Sequence, residues 1–219
     1  ADKQDQALQL KAAETPALKP AKRPKVALKK SPMKGNVERA PISKVPPEVK
    51  ARIAIIIDDV GHDWDSLEQA VALPPGVTLA FLPYVNEVQR KSEYARSKGH
   101  ELLVHLPMAP KSGDVNPGPM ALRPDIGRRE LARRIQWNLS QFKGYIGINN
   151  HMGSLFTEDQ GAMKELFIRL KEQGSVFIDS RTTAHSAGAL LAHEMALPYA
   201  ERDVFLDNAI EAGAVGEQL

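Results

Sequence analysis

The chain has 219 residues, 29 Lys and Arg against 27 Asp and Glu, and no cysteine, so disulfides and thiolate metal sites are excluded. Its formal net charge of +2 is unevenly spread: residues 1–50 hold twelve basic and five acidic side chains, seven prolines and no aromatic residue. No run of eighteen apolar residues occurs, so no membrane-spanning segment is expected in this chain.

Residues 1–50 cannot bury enough apolar surface to offset their ordering entropy. They are expected to form a disordered, basic, Pro/Lys/Ala-rich tail or linker. Prolines dilute the charge and no aromatic ring is present for base stacking, so nucleic acid is not the expected partner. A solvated spacer near an anionic cell envelope or peptidoglycan suits the composition better. The chain opens with Ala1 rather than Met, which is consistent with removal of an upstream targeting or anchoring segment. Residues 51–219 suit a single domain with one core.

Strand-like and helix-like segments alternate from residue 51 onward. The β-branched run 53–57 reads as a strand buried on both faces, ended by Asp58, Asp59 and Gly61. Helices are expected over 65–73 and 86–98, with strands over 77–82 and 102–106, the latter carrying His105 near its end. A Pro/Gly-rich loop at 113–124 is long enough to cover a site. A helix over 128–142 and a strand over 145–148 follow, the strand ending in Asn149-Asn150-His151. The next helix, 158–173, gathers Met163, Leu166, Ile168 and Leu170 on a partly apolar face, with Gly174 placed to cap it. A strand over 176–178 ends in Asp179-Ser180-Arg181, a helix covers 186–195, and a sixth strand over 204–206 ends in Asp207-Asn208. Six strands with five intervening helices predict an α/β fold with a parallel sheet, open or closed as a barrel.

Sequential parallel strands point the same way, so their terminal groups converge on one rim. The adjacent acids Asp58 and Asp59 repel and need a cation or a shared proton to compensate them. A carboxylate with two imidazoles is a ligand set for zinc or another divalent metal, with a position left open for water. An activated water beside a carboxylate base is the apparatus for hydrolysing an amide or ester. His105 and His151 lie at strand ends beside the acids. His193 sits within a helix, and His62, His100 and His185 lie in expected turns, so none of these four is placed in the site.

Five segments, IIIDDVGHD, GHELLVHLPMAP, GINNHMGSLFT, FIDSRTT and RDVFLDN, resemble in order those of the divergent polysaccharide deacetylases of bacterial envelopes, distant relatives of the NodB-type carbohydrate esterases. The resemblance covers about residues 52–210. It implies a distorted (β/α) barrel of about seven strands, with Asp58 as base and Asp59 as metal ligand. His105 matches the first histidine of the relatives' His-x-x-x-His pair, whose second position here is Ala109; His151 is the expected replacement. Asn150, Asp179 and Arg181 are implied as supporting or substrate-contacting residues. The implied function is a zinc- or other divalent-metal-dependent hydrolase. It would remove N- or O-acetyl groups from an acetylated polysaccharide or peptidoglycan-type glycan in the periplasm or envelope of a bacterium. The relatives' final Gly-His-Pro-His-type motif, which carries a general acid, has no match before Leu219, so the domain is expected to be C-terminally incomplete. That departure supports an alternative, a non-catalytic carbohydrate- or metal-binding envelope protein.

Overall fold

The computed structural model describes residues 52–206. Strands and helices alternate in it: β1 (Ile56–Val60), α1 (Trp64–Val71), β2 (Thr78–Phe81), α2 (Val88–Ser97), β3 (Leu102–Met108), α3 (Arg128–Ser140), β4 (Gly147–Met152), α4 (Gln160–Gln173), β5 (Val176–Asp179), α5 (Gly188–Met195) and β6 (Tyr199–Glu201). All six strands are parallel and lie in the order β1-β2-β3-β4-β5-β6. A doubly wound sheet reverses its strand order at a switch point. Here each strand is added to the same edge, which is the winding of a barrel. Among the described residues no helix is long and apolar enough to cross a membrane.

Local chemistry sets the element ends. Asp63 Oδ1 accepts the Ser66 N–H at 2.7 Å to start α1, and Asp159 Oδ1 accepts the Ala162 N–H at 2.8 Å to start α4. Gly174 closes α4 in the left-handed region at φ 69°, as its position after the apolar face predicts. That face buries Met163, Leu166, Phe167 and Leu170, while Ile168 is only half-buried. Central β3 is buried at all seven positions, and Leu102, Leu103, Val104, Leu106 and Met108 are fully enclosed. Each such side chain contributes about 1.5–3 kcal/mol on burial. His105 is therefore held in the most completely buried strand of the sheet.

Three expected strands differ in place; the fourth runs Gly147–Met152 rather than 145–148, so it contains Asn149, Asn150 and His151. The first begins at Ile56 rather than Ile53, and it contains Asp58 and Asp59 instead of ending before them. It is not buried on both faces. Among the described residues β1 pairs with β2 alone, and Ile53, 76% exposed, lies outside the ladder. The sixth strand is Tyr199–Glu201, not 204–206. Val204 and Phe205 are exposed, whereas Tyr199, Ala200 and Glu201 pair in register with Phe177, Ile178 and Asp179. A short strand that pairs with β5 alone among the described residues needs no apolar run, so period and hydrophobicity pointed to the wrong triplet. The expectations for the basic tail, for Asp207-Asn208 and for a missing final motif lie outside the described residues.

Candidate metal centre and active site

Side chains alternate faces along a strand, so two adjacent acids in a regular strand would point apart. In β1 they do not. The register runs Ile57 with Leu79 and then Val60 with Phe81, so three residue steps on β1 match two on β2. This bulge falls on Asp58 and Asp59, and Asp59 has left-handed backbone at φ 55°. An extra residue in a strand re-aims side chains, a device found beside active sites. Both carboxylates consequently approach one imidazole: Asp58 Oδ1 lies 3.7 Å from His105 Nδ1, and Asp59 Oδ1 lies 3.3 Å from His105 Nε2. Left-handed backbone recurs at Met152, the last residue of β4, and at Arg181, just after β5. Such conformations cost of order 1–3 kcal/mol each for non-glycine residues, and here they gather at one rim.

The second histidine arrives from the next strand. His105 pairs in register with Asn149 and Pro107 with His151, so alternation sets Asn149 and His151 on the face of His105 and turns Asn150 to the other. His151 Nδ1 lies 3.0 Å from Asp59 Oδ1 and 3.2 Å from His105 Nε2. His105 is almost enclosed, with 4% of its side chain exposed, against 16% for His151 and 56% for Asp59. Hydrogen bonds from His105 and then His151 hold the Asp59 carboxyl well below the usual carboxylate range, against the opposing effect of its partial burial. Burial disfavours the charged form of His105. The Asp59 hydrogen bond, the charges of Asp58 and Asp59, and the contact with Asn149 outweigh it, so the His105 pKa is raised.

Asp59, His105 and His151 form the one group of potential metal ligands of this kind among the described residues. Their nearest donor atoms make a triangle with sides of 3.0, 3.2 and 3.3 Å. Three ligands of a tetrahedral ion with bonds of about 2.0–2.1 Å are about 3.3–3.4 Å apart, and a face of an octahedron at similar bond length has edges of about 3.0 Å. The observed triangle falls between these values, so the residues present fit a divalent ion. The donor chemistry, one carboxylate and two imidazoles with the remaining side open, suits zinc.

The other expected residues are placed differently. Asn150 donates to the Met152 carbonyl at 2.7 Å and accepts the Ser180 N–H at 2.8 Å, tying β4 to the segment after β5. Asp179 is fully buried and receives bonds from the Arg181 N–H, the Ser186 hydroxyl and the Tyr199 hydroxyl. The Arg181 guanidinium pairs with Glu201 at 2.8 Å, not with Asp179. None of the three contacts the Asp59–His105–His151 cluster through the bonds described; they brace the rim from the far side of the sheet. Ala109 is buried, and its carbonyl accepts the N–H groups of Leu155 and Phe156, which anchors the segment after His151.

Two contributors were missed in the sequence. Asn149 Oδ1 lies 2.9 Å from His105 Nδ1, and its Nδ2 donates to Asp58 Oδ1 at 2.6 Å. The available signal was strand parity with His151, two residues on. Tyr84 is the second: burial, and then the charge of Asp59, raises its phenol pKa. The Pro/Gly-rich loop after β3 reaches this tyrosine. A Cβ on Gly118, whose φ is 93°, would come within 2.7 Å of the Tyr84 ring, so the loop's close approach requires glycine.

The chain is 32% identical over 166 residues to the uncharacterised protein YibQ of Escherichia coli K12, covering 74% of this chain and 51% of that protein. An uncharacterised Haemophilus influenzae protein is 31% identical over 170 residues, covering 77% of this chain and 60% of that one. The chain thus spans about half to three fifths of the curated relatives it matches. The crystal structure of the uncharacterised protein ATU2773 from Agrobacterium tumefaciens C58 superposes with a TM-score of 0.73 at 28% identity, covering 77% of this chain and 71% of that one. Residues 55–219 match the divergent polysaccharide deacetylase family, and the chain belongs to that family.

Proposed function

We propose that this protein is a zinc-dependent deacetylase that hydrolyses acetyl groups on a polysaccharide of the bacterial envelope. The observation that carries the reading is the metal-sized triangle of Asp59, His105 and His151 with a second carboxylate, Asp58, held beside it. Family membership supports a polysaccharide substrate. Asp59, His105 and His151 would hold the ion, which supplies Lewis acidity toward an acyl oxygen and acidifies a water.

The chain's own residues do the rest. Asp58 Oδ1 is engaged by Asn149, while Oδ2 accepts no hydrogen bond among the described residues. Oδ2 is the base: it takes a proton from the attacking water. The water oxygen bonds to the acetyl carbon, the bond from that carbon to the sugar nitrogen or oxygen breaks, and acetate leaves. The proton taken by Asp58 balances the one that the leaving atom must gain. Tyr84 and the loop through Gly118 form a wall near the acids against which a sugar can lie.

The test is zinc titration of the purified protein followed by acetate assay on N-acetylated and O-acetylated glycans, peptidoglycan included. Zinc-dependent acetate release that disappears in Asp58→Asn establishes the reading. Zinc binding with no acetate from any glycan would favour a non-catalytic carbohydrate- or metal-binding envelope protein.

A further inference from the structure

We propose that Asn149 is a positioning residue that sets the tautomer of His105 and the placement of Asp58 through a single amide. The base role of Asp58 rests on the deacetylase reading; the tautomer assignment rests on hydrogen-bond geometry alone. An amide has one end that only accepts and one that only donates. A carboxylate only accepts, and Asp58 Oδ1 lies 2.6 Å from the Asn149 amide nitrogen. Reversing the amide would set its carbonyl against that carboxylate, two acceptors at hydrogen-bond distance. The NH2 group therefore faces Asp58, and Oδ1 faces His105.

The consequence passes to the imidazole. His105 Nδ1, 2.9 Å from Asn149 Oδ1, must carry the hydrogen. Nε2 lies 3.3 Å from Asp59 Oδ1 and 3.2 Å from His151 Nδ1; where an ion stands among these atoms in place of a hydrogen, the ring keeps its hydrogen on Nδ1 and the lone pair is on Nε2. Nε2 is thus the nitrogen offered to a metal. An outer hydrogen-bond partner commonly fixes a ligating histidine in this way. Asn149 is 2% exposed, so water does not stand in readily for either bond. The in-register pairing of His105 with Asn149 holds the two side chains adjacent on one face. One residue so links the metal side of the site to the base side.

The experiment compares wild type, Asn149→Asp and Asn149→Leu. Two-bond proton–nitrogen NMR of histidine-labelled, zinc-loaded protein reads which His105 nitrogen carries the hydrogen. Wild type is expected to show hydrogen on Nδ1 with zinc bound. Asn149→Asp keeps the acceptor for Nδ1–H but sets a carboxylate against Asp58. It is expected to retain the tautomer and lose acetate release. Asn149→Leu removes both bonds and is expected to lose the fixed tautomer, with zinc affinity falling about 10–100-fold. Should Asn149→Leu fail to fold, Asn149→Asp carries the test, and a tautomer switch in it overturns the proposal. Hydrogen on Nε2 in wild type, or an unchanged tautomer and zinc affinity in Asn149→Leu, also overturns it. A wild type with the expected tautomer and no acetate release on any glycan would refute the deacetylase reading and leave the tautomer assignment standing.

Discussion

Asp59 and His151 touch, Oδ1 to Nδ1 at 3.0 Å, although β2 and β3 lie between their strands in the sheet. Three strand spacings amount to about 14 Å in a flat sheet, more than these two side chains span together. The sheet must curl for the contact to exist, and it curls about His105. Sequential winding and strand twist supply that curvature, and the bulge at Asp58–Asp59 completes the approach. The cluster is therefore a reporter of the fold as well as a candidate site.

Asp58 and Asp59 should separate by function. Asp59→Ala removes a donor atom and should weaken zinc binding by more than the roughly 10–100-fold typical of losing an outer hydrogen-bond partner. Asp58→Asn keeps an acceptor for Asn149 and should retain zinc while lowering deacetylation about 10²–10⁴-fold. Isothermal titration with zinc, alongside an acetate assay, measures both. Equal loss of zinc in the two variants would show that both acids act as ligands.

The site should also give opposite pH trends with and without metal. A raised His105 pKa means that its contribution to metal-free stability is complete below the unfolded value of about 6.5 and is lost as pH rises through the folded value. The lowered Asp59 pKa contributes above about 3.9 and is lost as pH falls through its folded value. The pair thus stabilises metal-free protein most between about pH 4 and 6.5. Zinc needs both imidazoles unprotonated, so the rise in Tm that it produces should grow with pH over about 6 to 8. Thermal melts with zinc and with chelator check this. A zinc-induced rise that shrinks over that range would remove His105 from the ligand set.

Much of this arrangement was readable in the residues, because strand ends in a parallel α/β fold share a rim. The acids, His105 and His151 can be gathered on that basis from the sequence alone. What alternation alone could not supply was the bulge, since a regular β1 would turn Asp58 and Asp59 to opposite faces. Alternation did hold the answer at Asn149 and Asn150, where parity with His151 favours the first and the motif resemblance drew attention to the second. Asp179 resembled a site carboxylate for the same reason, yet it lies one residue from Ile178, which is in register with Asn149, and so faces away. Tyr84 carried no signal, being brought near Asp59 only by tertiary packing. Tyr199–Glu201 carries no such signal, because a short, half-exposed strand lacks the apolar run that marks an inner one.

Core and site should respond independently on β3. Leu106 is adjacent to His105 but belongs to the hydrophobic core and is fully buried. Leu106→Ala should cost about 2–5 kcal/mol through lost burial and the cavity left behind. For a domain of this size, each kcal/mol lowers Tm by about 2–4 °C. Zinc affinity of the folded fraction should change little, because no ligand moves faces. Denaturant melts and zinc titration on the same preparation separate the two effects. A large loss of zinc affinity at full folding would mean that His105 is positioned by the core rather than by its hydrogen bonds.

The loop after β3 offers a test of how the substrate wall is built. Gly118 combines φ 93° with a ring contact that leaves no room for a methyl group, since an added Cβ would lie 2.7–2.8 Å from three Tyr84 atoms. Gly118→Ala must therefore strain its own backbone and also displace either Tyr84 or the loop. Left-handed strain and overpacking each cost about 1–3 kcal/mol. The loop is pinned elsewhere: Arg134 Nη1 donates to the Ala121 carbonyl at 2.7 Å, and Asn138 Nδ2 donates to the Met120 carbonyl at 3.0 Å. Met108 and Leu122 add a parallel bridge that extends the edge of β3. With that end fixed, the displacement falls on the Gly118–Tyr84 contact, close to Asp59. Gly118→Ala should raise KM for an acetylated glycan more than it lowers kcat, and zinc affinity should be unchanged because no ligand is touched. Tyr84→Phe retains the ring and should leave the wall in place, so its KM should stay near wild type. If Gly118→Ala instead lowered kcat at constant KM, the loop would act on the reacting groups, and its assignment as a wall for the sugar would be wrong.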